Sequence, residues 1–214
     1  MGTDYVDIFQ LHDIEFVELG PIFEGSYAEL LSLQDKGKCR YIGMTGYPAA
    51  TMARAMHETD LDVPLTYVHA TLLDDTLPRE LAPIAAENGV GLINAAAVAL
   101  GILTPTGRSF GADHRAGRAI LASADRMATL CAHRGVDLSF VANQYSIQRS
   151  GCATTWSAPA SPDTCDQLTV AAVDADLDDE LVQELLALRP SVDQRTWTSG
   201  LAENNGPVAE VRQR

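Results

Sequence analysis

The residue best placed to do chemistry is His12, which with Asp13 closes the run YVDIFQL from Tyr5 to Leu11. An apolar, β-rich run ending in a polar pair is the pattern of a buried parallel strand that delivers side chains to a rim. An imidazole there can exchange a proton near neutral pH, although a lone histidine at a strand end is most often structural. His69 lies in a second strand-like run and is expected to line a pocket or bond a loop. His57, His114 and His133 fall on helices or loops and read as solvated. The only lysines in the chain are Lys36 and Lys38, on either side of Gly37. No Asp, Glu, His or Cys spacing suggests a metal. No G-x-S-x-G or Cys-His arrangement suggests a covalent nucleophile.

The elements that must position these residues alternate. After the first strand, SYAELLSLQ from Ser26 to Gln34 has helical spacing, and Asp35 to Lys38 closes it with Gly and basic residues. Arg40 to Met44 reads as a strand and Ala49 to His57 as a helix. Val63 to Ala70 is strand-like, Leu77 to Glu87 helical, and Gly89 to Ala97 strand-like again. A polar, Gly-rich stretch from Thr104 to Gly117 leads to helical segments at Ala119 to Arg134 and Leu138 to Tyr145, then a last strand near Ala153 to Ser157. Leu177 to Leu188 is an amphipathic helix with acids in its first turn, and Arg195 to Arg214 reads as an extended tail. Five strands separated by helices, with no Pro inside a strand, predict an α/β fold paired in parallel through right-handed crossovers. No G-x-G-x-x-G follows any strand, so a Rossmann phosphate loop is absent.

Composition narrows the class. The 214 residues, 46% hydrophobic and 21% charged, suit one globular domain, with or without a tail. Fifteen basic against 29 acidic residues give a net charge of −14, which would repel a phosphate backbone, so nucleic-acid binding is disfavoured. Cys39, Cys131, Cys152 and Cys165 form no C-x-x-C pair and read as reduced thiols. No apolar run approaches a membrane span of roughly 18 residues, and MGTDYVD carries acids where a secretory signal would carry Lys or Arg. The expected location is cytoplasmic, with no membrane partner.

The string GTDYVDIFQLHD, Gly2 to Asp13, resembles the fourth barrel strand of the aldo-keto reductase family, which ends in the active-site histidine. The resemblance continues in register. GKCRYIGMTGYP (Gly37 to Pro48) is similar to the fifth strand, LTYVHATLLDDTL (Leu65 to Leu77) to the sixth and GVGLINAAAVALGILTPTG (Gly89 to Gly107) to the seventh. With RTWTSG (Arg195 to Gly200), these point to the family's L-galactose dehydrogenase and D-threo-aldose 1-dehydrogenase branch. The resemblance implies a partial (β/α)₈ TIM barrel over residues 1–190, holding the equivalents of strands four to eight, and a tail at 191–214. A whole barrel of ~250 residues has about 31 per unit, so three units, roughly 95 residues, are expected upstream of Met1.

The resemblance also implies hydride exchange between nicotinamide C4 and a sugar carbon, with a Tyr as proton donor, a Lys and an Asp tuning it, and a His orienting the oxygen. Only the His is matched, by His12; the family's Asp, Tyr and Lys come from the first three strand-loop units. Lys36 and Lys38 are expected at the opposite face of the barrel. Tyr47 and Tyr67 are expected toward the cofactor side, as weak substitutes for the donor. The cofactor is NADP or NAD, with Thr45 and Gly46 against the nicotinamide amide and Tyr67 packing beside it. Ala96 to Gly101 stands where the family has the pyrophosphate loop S-P-L-x-x-G, so the hydroxyl and the Pro are lost and binding is expected to weaken. Ser161 keeps the character of the loop after the eighth strand, while Gln167, Leu168 and Thr169 occupy the place of an E-N pair. The expected partners are a small sugar substrate and either a second copy of the chain or an N-terminal complementing chain. A partner-binding fragment that has lost hydride chemistry is the alternative.

Overall fold

The computed structural model describes residues 2–211 apart from 112, 159–160, 164, 167 and 169–174. Its five strands are β1 (Val6–Leu11), β2 (Cys39–Gly46), β3 (Leu65–Tyr67), β4 (Ile93–Ala95) and β5 (Thr154–Trp156), and they form one parallel sheet in sequence order. The helices are the single turn α1 (Leu19–Pro21), then α2 (Tyr27–Asp35), α3 (Ala49–Glu58), α4 (Ala82–Asn88), α5 (Gly117–Arg134), α6 (Leu138–Arg149) and α7 (Asp179–Leu186). The expected α/β alternation is therefore present. Among the described residues no helix is long and apolar enough to cross a membrane.

The backbone divides into two compact units. One holds Met1–Thr66, Arg79–Ile93 and Thr198–Arg214; the other holds Tyr67–Pro78 and Asn94–Trp197.

In the first unit β1 and β2 pair from Val6 opposite Cys39 to Leu11 opposite Met44. Leu30 on α2 packs under Cys39 and Ile42, with Val6 and Leu11 against them. Burying a leucine of this kind contributes roughly 1.5–3 kcal/mol. Met52, Ala53 and Met56 of α3 meet Leu81 and Ala85, with Val208 and Val211 beside them. Gly43 marks a crowded point of β2: a Cβ there would lie 2.0 Å from the Val63 carbonyl oxygen, which already accepts the Gln10 carboxamide at 2.7 Å.

In the second unit α5 carries His133 and Arg134 in its last turn, which suits the negative helix end, and stops at Gly135 in the left-handed region. Asp137 caps α6 by accepting the Phe140 amide, and Asp178 caps α7 by accepting the Leu181 amide, each worth about 1 kcal/mol.

Three expectations change. The strand expected from Gly89 to Ala97 is only Ile93–Ala95, and Ala96 then turns into the left-handed region at φ 57°. The strand expected from Val63 to Ala70 is only Leu65–Tyr67, because Val68 turns into the left-handed region at φ 74° and breaks the extended run. The stretch expected as an extended tail instead forms single 3₁₀ turns at Ala202–Asn204 and Val208–Glu210, with Asn204 buried.

Candidate active site

The C-terminal ends of the strands carry the backbone conformations that cost most. Asp13 after β1, Val68 after β3 and Ala96 after β4 all have positive φ, at 51°, 74° and 57°. L-residues adopt this region only at a cost of roughly 1–2 kcal/mol each. Such strain at one end of a sheet is where a parallel α/β protein places its site.

Three of the predicted residues lie in the first unit. His12 follows β1 with its side chain 80% exposed, its Nδ1 3.4 Å from the Asp13 carboxylate. Thr45 and Gly46 are the last two residues of β2, and both are buried. The Thr45 hydroxyl accepts the Asp13 amide at 2.9 Å, tying the end of β2 to the residue beside His12. A hydroxyl that accepts in this way keeps its own proton to donate. Thr66 donates its hydroxyl to the Gly46 carbonyl at 3.0 Å, which fixes the other side of that loop.

The other four lie in the second unit. Tyr67 is the last residue of β3 and half-buried. Ala96 donates its amide to the Trp156 carbonyl at 3.3 Å, and Gly101 turns the same loop at φ 92°. Thr104 closes that turn with a 2.7 Å bond to the Gly101 carbonyl. Ser161 is exposed and its carbonyl accepts the Cys165 amide. Gln167 and Thr169 lie outside the described residues.

Tyr47 directly follows β2; it is 1% exposed, and the Glu15 carboxylate accepts its amide at 3.2 Å. Lys36 and Lys38 are both exposed, and the Lys38 carbonyl receives the Val6 amide at the start of the sheet, the end opposite His12. Neither supplies a buried cation at the strand ends.

Several polar residues, among them Glu15, Asp74 and Arg189, which sequence reading passed over, organise the loops. Glu15 is wholly buried; its carboxylate accepts the Tyr47 amide and the Ser199 hydroxyl, each at 3.2 Å. In the second unit His69 and Asp74, each 1% exposed, meet at 2.6 Å, and Asp74 also accepts the Thr76 hydroxyl at 2.8 Å. His69 thus bonds a loop, one of the two roles expected for it. Arg189 donates to the carbonyls of Leu72 and Thr71, to Asp75 and to the Tyr145 hydroxyl. Arg195 takes the other Asp75 oxygen at 2.9 Å. The thiols of Cys39, Cys131 and Cys152 are pushed up in pKa by burial, so they stay protonated and unreactive at neutral pH.

Five parallel strands alternating with helices define an α/β protein of the (β/α) kind. The comparisons agree. Over 95% of its length the chain superposes on an aldo-keto reductase from Bacillus halodurans, with a TM-score of 0.65 at 18% identity and 65% of that chain covered. It is 30% identical to L-galactose dehydrogenase of Arabidopsis thaliana over 210 residues, covering 95% of this chain and 65% of that protein. It is 26% identical to D-threo-aldose 1-dehydrogenase of Pseudomonas over 151 residues, covering 69% of this chain and 46% of that protein. Residues 1–189 match the aldo/keto reductase family, and the chain belongs to it. The chain spans just under two thirds of the plant relative and less than half of the bacterial one.

Proposed function

We propose that this chain is the part of an NAD(P)-dependent aldose 1-dehydrogenase that carries the cofactor-facing strand ends. The observation that carries the reading is the 30% identity to L-galactose dehydrogenase, sustained over 210 residues. Residues 1–190 then hold the equivalents of barrel strands four to eight, and 191–214 form the C-terminal segment.

In this reading His12 donates to the oxygen on the sugar carbon that loses hydride, and holds it in the reactive orientation. The Thr45 hydroxyl and the Gly46 backbone face the nicotinamide amide, Tyr67 packs beside the ring, and Ala96 to Gly101 with Ser161 follow the pyrophosphate. The nicotinamide accepts the hydride when bound. The proton that leaves the sugar hydroxyl needs a base, and both lysines that could tune one are exposed and at the far end of the sheet. We therefore assign the proton-accepting group to a complementing segment with three further strand-helix units. Both β1 and β5 have an open edge, and β1 exposes Phe9; parallel strands with free edges recruit partners.

The test is reconstitution. The chain alone is expected to show no sugar-dependent NAD(P)H formation. The chain with a relative's N-terminal segment is expected to gain it. In that complex His12→Ala should lower kcat at least 10-fold while His133→Ala is silent. An active complex indifferent to His12→Ala would remove the catalytic assignment. A lone chain turning over near ~10 s⁻¹ would overturn the need for a complementing segment.

A further inference from the structure

We propose that Glu15 is a positioning residue for the Thr45–Tyr47 backbone, and that the C-terminal segment Ser199–Asn205 is the lock that fixes Glu15. The functional meaning of that backbone rests on the reading above, in which Thr45 and Gly46 face the cofactor.

Glu15 lies two residues beyond the left-handed Asp13, in a 3₁₀ turn, and has no exposed surface. Its side chain reaches under the end of β2. One carboxylate oxygen accepts the Tyr47 amide, and a Cβ built on Gly46 would come within 3.0 Å of the other. Gly46 therefore rests directly on the carboxylate, and a side chain there would have to push it aside by a few tenths of an ångström.

Glu15 is in turn held from the far end of the chain. Its carbonyl oxygen accepts both the Leu201 amide at 2.9 Å and the Asn204 carboxamide at 2.8 Å, which fills its lone pairs. Asn204 also donates to the Val17 carbonyl at 2.8 Å and accepts the Thr51 hydroxyl on its own carbonyl at 2.7 Å. Ser199 adds its hydroxyl to the same oxygen that receives Tyr47. Asn205 closes the segment on itself by accepting the Ser199 amide at 3.0 Å and donating to the Leu201 carbonyl at 2.7 Å. Groups tied this way cannot shift singly, because each buried donor or acceptor left without its partner costs about 1–3 kcal/mol. The segment thus sets Glu15, and Glu15 sets the height of the loop after β2.

The test reads amide exchange and cofactor binding in the full chain. The Tyr47 amide, just past the end of β2, is compared with the Ile42 amide, which lies within β2 and bonds Asp62 instead. Glu15→Ala should raise the Tyr47 to Ile42 exchange ratio at least 10-fold and weaken NADPH binding, followed by its fluorescence, at least 5-fold. Glu15→Gln keeps an acceptor oxygen and should restore both to within 2-fold. Leu185→Ala, a truncation of a fully buried side chain on α7 in the other unit, should lower Tm while leaving the ratio and the binding unchanged. If Glu15→Ala does not fold, Ser199→Ala is expected to raise the ratio by a few fold. A ratio that stays put in Glu15→Ala, or in Ser199→Ala where the first variant is lost, overturns the proposal. Failure of the parent chain to bind NADPH overturns the cofactor reading, and the exchange ratio alone then decides the positioning role.

Discussion

Glu15 and Arg189 are both charged residues at sites with little water, and both hold loops that follow strands, yet they do so with opposite chemistry. Glu15 has no exposed surface and meets neutral donors, the Tyr47 amide and the Ser199 hydroxyl. Arg189 keeps 7% of its side chain exposed and spreads its planar fork over a carboxylate, two carbonyls and a phenol. The arginine carries its geometry within itself, since the guanidinium is rigid and needs only acceptors in its plane. The carboxylate depends on backbone placed around it by a segment far away in sequence. One site therefore tolerates the loss of a single partner, and the other is only as firm as the backbone packed against it.

The largest effect expected from this contrast is at Gly200. The residue sits at φ 70°, and a Cβ on it would lie 2.1 Å from the Glu15 carbonyl oxygen. Gly200→Ala must move backbone, and with it the bonds from Leu201 and Asn204. Left-handed strain, overpacking and lost hydrogen bonds together should cost at least about 4 kcal/mol in urea unfolding. A loss under about 1 kcal/mol would show that the segment yields easily and is no lock.

Arg189→Ala comes next, at about 3 kcal/mol, because it removes the donor from two buried carbonyls and one of the two arginines from Asp75, which Arg195 still holds. Arg189→Lys should recover less than half of that, since an ammonium cannot reach the four acceptors at once. Full recovery by lysine would mean that charge alone, and not the fork, holds the loop.

Cys131 tests the same dryness with a neutral group. It is 1% exposed, and burial first, then the charge of Asp137, pushes its thiol from 9.0 up to about 11. A raised folded pKa means that the folded state keeps its proton longer. The stability it contributes is complete below pH 9 and is lost as pH rises through 11, by at most about 3 kcal/mol. Melting temperatures from pH 8 to 11 should fall more steeply for the parent than for Cys131→Ala. Parallel curves would show that the thiol is hydrated.

Much of the frame was legible in the sequence because it depends on local pattern. The β1 run, the α3 and α5 periodicities and the acids in the first turn of α7 are each set by neighbours within a turn or two. His12 was readable as a strand-end residue for the same reason. The polar residues that hold the loops were not. Glu15 looks like any acid after a strand, and its partner Asn204 is 189 positions away. Asp75 is one of two adjacent aspartates, and nothing local distinguishes the one that binds two arginines from the one that meets His69. RTWTSG was visible as a family string, but its use, placing Gly200 against the Glu15 carbonyl, is a matter of packing that periodicity does not encode.

The smallest effect should come from Arg149, whose pair with Asp179 has a distance as short as any in the buried clamp, 2.7 Å, but leaves the two side chains 46% and 75% exposed. Water already solvates both charges, so forming the pair exchanges one set of good contacts for another and fixes two flexible side chains besides. Arg149 also sits in the last turn of α6, where a cation complements the helix end, a further few tenths of a kcal/mol at low salt. Arg149→Ala should therefore cost no more than about 0.5 kcal/mol, and raising salt toward 1 M, where the Debye length falls to about 3 Å, should erase the difference from the parent. If instead Arg149→Ala cost as much as Arg189→Ala and resisted salt, exposure would not be what separates the two arginines. The explanation given for the Arg189 fork, that a guanidinium shielded from water holds its acceptors where an exposed one does not, would then have to be abandoned.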